Sequence, residues 1–129
     1  SNPASISQAA AIAALNGDQE CIAEMLDAFR ERHVYVVEAL NKIPGLICLM
    51  AGGAFYAFPD ARQSIETLHK KGILQEATDI AFSEYLLVEA GVAIVPGSAF
   101  GSEGYFRLSF ATSMDNLKNA IERIAKALS

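Results

Sequence analysis

The sequence predicts an α/β sandwich of the α+β type, in which a small sheet is covered by helices. Three observations lead there. Apolar residues recur at helical spacing over several long stretches, short aromatic and β-branched runs separate those stretches, and Gly or Pro punctuates nearly every junction. With 129 residues, such a chain buries roughly two thirds of the surface its unfolded form exposes. One compact domain over residues 1–129 is therefore expected.

Taken in chain order, Ser5 to Leu15 is alanine-rich, with Ile6, Ile12 and Leu15, and is expected to be a short, closely packing helix ended by Asn16-Gly17. Asp18 can cap the next helix. There Ile22, Met25, Leu26, Phe29, His33, Val36, Val37 and Leu40 fall three or four residues apart until Pro44-Gly45, which describes one buried face of a long amphipathic helix. The acids Asp18, Glu20 and Glu24 come early in it and Arg30 and Arg32 later, the order that complements the helix dipole.

Leu46 to Met50 and Ala54 to Phe58 flank Ala51-Gly52-Gly53 and are expected to be two strands around a bend. Ser64 to Lys71 is a short helix closed by Gly72, and Gln75 to Ala90 a longer one closed by Gly91, which suits a left-handed cap. Val92 to Val95 forms a strand ended by Pro96-Gly97. A loop from Gly97 to Gly104 leads into the strand Tyr105 to Phe110. Ser113 or a neighbour caps a last helix, whose Leu117, Ala120, Ile121, Ile124 and Leu128 share one face.

Composition excludes several function classes. Ten basic against fifteen acidic residues give a net charge of −5, which repels a phosphate backbone and argues against nucleic-acid binding. No apolar run is long enough to span a bilayer, and Ser1-Asn2-Pro3-Ala4 lacks the features of a signal peptide, so a soluble cytoplasmic protein is expected. A mean hydropathy of +0.25 is compatible with apolar surface reserved for a partner or with an alanine-filled core. Cys21 and Cys48 sit in a helical pattern and an apolar run respectively; buried free thiols are expected rather than a bridge, and no metal-ligand spacing surrounds them.

Few residues suggest chemistry. There is no phosphate loop, no His-Glu-x-x-His and no serine elbow. His33 lies on an apolar helix face and His69 beside Lys70-Lys71, so both are expected to be structural. The loop Gly97 to Gly104 could present N–H groups to an anion or simply connect two strands. Arg107, between Phe106 and Leu108, has a planar fork that suits a carboxylate; it could equally pair with an acid such as Glu103 or face solvent at an edge.

The run Val95-Pro96-Gly97-Ser98-Ala99-Phe100-Gly101, followed by Gly104-Tyr105-Phe106-Arg107-Leu108-Ser109-Phe110-Ala111, closely resembles the C-terminal region of class I, aspartate-type aminotransferases. Gly52-Gly53-Ala54-Phe55-Tyr56-Ala57-Phe58 resembles that family's glycine-rich aromatic segment, and Ser1-Asn2-Pro3 with the alanine-rich helix resembles its entry into the small domain. The likeness spans nearly the whole chain in the family's order. It implies the small domain of a fold-type I enzyme, with a mostly antiparallel sheet, which closes over a large domain carrying pyridoxal 5'-phosphate.

By the same resemblance, Arg107 binds the α-carboxylate of amino acid and 2-oxo acid substrates, and the full-length enzyme is a homodimer. The cofactor-bearing lysine follows a serine in that family, and no such motif surrounds Lys42, Lys70, Lys71, Lys118 or Lys126. The chain by itself is therefore expected to bind no cofactor and to be inactive, its partner being its own large domain. A free-standing module that holds a small carboxylate without catalysis is the alternative.

Overall fold

The computed structural model describes residues 2–129; Ser1, which opens the Ser1-Asn2-Pro3 motif, lies outside them. In chain order come α1 (Ser5–Asn16), α2 (Glu20–Leu40), β1 (Tyr56–Ala57), α3 (Arg62–Lys70), α4 (Asp79–Ala90), β2 (Val95–Pro96), a 3-10 turn (Gly97–Phe100), β3 (Phe106–Ser109) and α5 (Met114–Ala127). The three strands form an antiparallel sheet in the order β1-β3-β2. The expected α+β architecture is present, with β3 in the centre.

Alternation along β3 divides the molecule. Phe106 and Leu108 are buried, whereas Arg107 and Ser109, on the opposite face, are more open. Behind the buried face, Phe82 of α4 meets Phe106 with ring centroids 5.7 Å apart. Val36, Leu40, Leu86, Leu117 and Ile124 complete the core where α5 packs against both α2 and α4. Burying such side chains contributes about 1.5–3 kcal/mol each before entropy is counted.

Helix ends follow the local chemistry. Asp18 accepts the Glu20 N–H at 2.9 Å at the start of α2, and Ser113 Oγ accepts the Asn116 N–H at 3.2 Å to cap α5. Gly91 closes α4 with φ 63° and ψ 30°, a left-handed conformation that costs a glycine little. The start of α4 differs from the sequence expectation. Thr78 Oγ1 accepts the Ala81 N–H at 3.1 Å, so the helix begins there, and 75–78 stay outside it.

Five further expectations are corrected. Leu46 to Met50 is not a strand: Ile47 alone forms an isolated bridge, to Asp60. The reason is a competing side chain, because the Asn41 amide accepts the Cys48 N–H and donates to the Cys48 carbonyl, both at 2.8 Å. Cys48's backbone thus has no need of a neighbouring strand. The strand expected over Val92 to Val95 is confined to Val95–Pro96.

Helix α1 does not pack closely. Ile6, Ile12 and Leu15 are 83%, 62% and 81% exposed, and the helix has no buried residue. The amphipathic stripe of α2 splits likewise, with Val36, Val37 and Leu40 buried while Ile22, Met25 and Leu26 project beyond the sheet. Cys21 shares this projecting end and is exposed, whereas Cys48 is a buried free thiol. Periodicity reports a face that could be buried; it does not report what covers it.

Candidate functional site

Arg107 sits at the middle of the sheet, opposite Val95 of β2. On its other side β1 pairs Tyr56 with Ser109, two residues along and on the same face as Arg107, so the Tyr56 ring reaches diagonally towards it. The result is a sandwich. The guanidinium carbon lies 4.3 Å from the Tyr56 ring centroid and 4.5 Å from that of Phe100. Cation–π attraction on both faces holds the guanidinium and leaves its N–H edge for hydrogen bonding.

Among the described residues no carboxylate takes that edge. Among the described residues the ion pairs are Arg30–Asp27, Arg62–Asp60 and Lys70–Glu66, so the pairing of Arg107 with Glu103 that the sequence left open is not formed. The strand's other alternative, a purely solvent-facing arginine, does not describe a half-buried side chain between two rings. A cation braced in this way is suited to an external carboxylate, which it can bind with two parallel hydrogen bonds.

The segment from Gly97 to Gly104 positions Phe100. Four of its N–H groups are engaged internally: Gly97 donates to the Tyr105 carbonyl at 2.8 Å, Gly101 to that of Ser98 and Ser102 to that of Gly97, both at 3.0 Å. Ser98 donates to Asp79 Oδ2 at 2.6 Å. These groups are not free to cradle an anion, and the segment acts as a braced connector. Gly97 is required for close approach, since a Cβ there would collide with the Ser102 carbonyl oxygen and with Tyr105.

A second aromatic cluster backs the first. Phe58 stacks on Tyr105 at 5.5 Å and meets Phe100 edge-on at 6.1 Å. Arg62 lies over Tyr105 and grips Asp60 with its Nε and Nη2. The hydrogen bond from Arg62 is the main reason that the Asp60 carboxyl is held below the usual carboxylate range, against an opposing push from burial. Isolated bridges from Asp60 to Ile47 and Tyr105 place this pair beside the sheet.

The structure places the two histidines in different settings. His33 stacks on Phe110 at 5.0 Å and its Nε2 accepts the Ala51 N–H at 3.3 Å; His69 ends α3 and is exposed. Sequence reasoning missed the two rings beside Arg107 and the buried acid that holds the turn carrying one of them. Tyr56 and Phe100 stood inside recognised motifs without a stated task, and Asp79, within the helix expected from Gln75 to Ala90, was not singled out. Its position beside a Thr, at the true start of α4, was the available signal.

A three-stranded antiparallel sheet with helices against its buried face and an aromatic-braced arginine on the other defines a domain of the kind found in fold-type I aminotransferases. The aspartate aminotransferase from Rhizobium meliloti superposes with a TM-score of 0.86 at 44% identity, over 99% of this chain and 32% of that one. The alanine aminotransferase from Pyrococcus furiosus gives 0.85 at 32% identity, over 98% and 30%.

The family model for aminotransferase class I and II matches residues 1–124, and the chain belongs to that family. It is 61% identical to an aspartate/prephenate aminotransferase of Nitrosomonas europaea, over 100% of this chain and 32% of that protein. Against an aspartate aminotransferase of Rhizobium meliloti it is 48% identical, over 97% and 30%. The chain thus spans about a third of the length of these relatives.

Proposed function

We propose that residues 1–129 are the small domain of a pyridoxal-phosphate-dependent, aspartate-type aminotransferase, and that Arg107 binds the substrate's α-carboxylate. The observation that carries this reading is the guanidinium held between Tyr56 and Phe100 with no protein acid at its edge. Clamping the carboxylate by two hydrogen bonds fixes how the amino acid is oriented, and orientation is worth a large fraction of a barrier. Arg107 positions the substrate and moves no proton.

The cofactor does not fit the residues of this chain. Lys42, Lys70, Lys71, Lys118 and Lys126 are all solvent-exposed, and Lys70 is engaged with Glu66 at 2.6 Å. Pyridoxal phosphate supplies an electron sink when bound, and no step of that chemistry is assigned to these side chains. In this reading the isolated chain is inactive, the large domain supplies the lysine, and the parent enzyme is a cytoplasmic homodimer acting on amino acids and 2-oxo acids. The projecting apolar residues of α1 and α2 support a partner surface, here the parent's own large domain.

The test uses the full-length enzyme. Arg107→Ala is expected to lower kcat/KM for aspartate by about 3 kcal/mol, roughly a hundredfold, as a charge-assisted carboxylate contact is lost. An unchanged kcat/KM sinks the assignment. Transamination of aspartate and 2-oxoglutarate by the 129-residue chain alone, with added cofactor, would overturn the division of labour between domains. Tight binding of amino or keto acids by that chain would favour a self-sufficient carboxylate-binding module instead.

A further inference from the structure

The geometry points to Asp79 as a positioning residue for the Arg107 site: its carboxylate anchors the Gly97–Phe100 turn through the Ser98 N–H, and that turn sets the Phe100 ring against the guanidinium. The inference rests on the reading of Arg107 as the carboxylate-binding residue.

Asp79 is 3% exposed. A carboxylate removed from water is unfavourable unless hydrogen bonds and local charge compensate it. Two features do so. Asp79 lies in the first turn of α4, where the helix dipole favours negative charge, and its Oδ2 receives the Ser98 N–H at 2.6 Å, a short charge-assisted bond. Capping does not explain it, because Thr78 already takes the Ala81 N–H. The Asp79 side chain is committed outward, to a different element nineteen positions along the chain.

Ser98 is the pivot of that element. Its N–H is fixed by Asp79 and its carbonyl by the Gly101 N–H at 3.0 Å, so both ends of the peptide run leading to Phe100 are tied. Phe100 itself is 48% exposed and lacks a core to hold it. Its ring position depends on the turn beneath it and on its contacts with Arg107 and Phe58. Loss of the anchor would loosen the ring and, with it, one face of the guanidinium sandwich.

In the full-length enzyme, Asp79→Ala is expected to raise KM for aspartate about tenfold, as a charge-assisted contact is lost, while kcat changes less than about twofold. Asp79→Asn retains an acceptor of lower strength and is expected to recover most of the affinity, with KM about threefold above wild type. Phe100→Ala, at an exposed position, should raise KM by itself, and adding D79A to it should bring little further change, since coupled residues are non-additive.

A D79A enzyme that melts earlier but keeps its KM overturns the proposal, as do D79A and F100A effects that multiply. Should D79A not fold, D79N carries the test alone and in the F100A background; an unchanged KM in D79N, or an equal increase in both backgrounds, also overturns it. Arg107→Ala separates the two readings. If it leaves kcat/KM intact, the carboxylate assignment fails. If it abolishes activity while the Asp79 variants bind normally, the failure is that of Asp79 alone.

Discussion

The guanidinium carbon of Arg107 lies 4.3 Å from the centroid of the Tyr56 ring, a contact that links the centre of the sheet to its edge strand. Tyr56 does not face Arg107 directly; it pairs with Ser109, and the reach of an aromatic ring covers the diagonal. The carboxylate contact proposed for Arg107 calls for a fork held in one plane. In this protein two aromatic faces hold it, and no neighbouring acid competes for it.

Tyr56→Leu removes one of those faces while keeping the apolar bulk. The cation–π contact is worth about 1 kcal/mol when partly desolvated. In the full-length enzyme KM for aspartate should rise about fivefold, with the larger part of the effect on KM rather than kcat. Steady-state kinetics at saturating 2-oxo acid read this out, and an unchanged KM would mean that Arg107 keeps its orientation without the ring.

Asp60 makes stability depend on acidity in a predictable direction. Its folded-state carboxyl titrates below its unfolded value, chiefly through the Arg62 hydrogen bond. The corresponding stabilisation is present above the unfolded value of about 3.9 and is lost as pH falls through the lower, folded value. Arg62→Ala should therefore destabilise the chain at neutral pH, with the gap to wild type closing on acidification below about pH 4. Parallel melting curves between neutral and acidic pH check this, and a gap that widens in acid would reverse the assignment.

The projecting end of the molecule should behave as unpartnered apolar surface. Ile6, Ile12, Leu15, Ile22, Met25 and Leu26 are all exposed, so the 129-residue chain should self-associate as its concentration rises. Deleting Ser5–Asn16, which buries nothing, should reduce that association and move the melting midpoint by less than about 3 °C, since a loss of under about 0.5 kcal/mol is involved. Sedimentation and melting of both forms test it. A strictly monomeric chain, or a large fall in midpoint on deletion, would show that α1 is part of the packed unit.

Much of the fold was legible because local chemistry specified it. Gly91 closing α4, Ser113 capping α5 and the buried periodic face of α5 are short-range signals that tertiary packing had no reason to override. The same cannot be said of 46–50. Its apolar run has strand character, yet the Asn41 amide satisfies Cys48's backbone from across a turn, and only one bridge forms. A hydrogen bond between residues in different segments leaves no trace in the pattern of either.

For the site, the sequence by itself determined that a strand arginine lay between two buried-type residues, inside motifs resembling those of an aminotransferase. Tertiary structure decided what that arginine touches. Register brought Tyr56 diagonally beside it, the 3-10 turn brought Phe100 over it, and the buried Asp79 tied that turn to α4. Alternation and propensity act between residues close in the chain, so they can place Arg107 on a face. The contacts that brace the guanidinium join positions 56, 79, 100 and 107, and only the folded chain sets those distances.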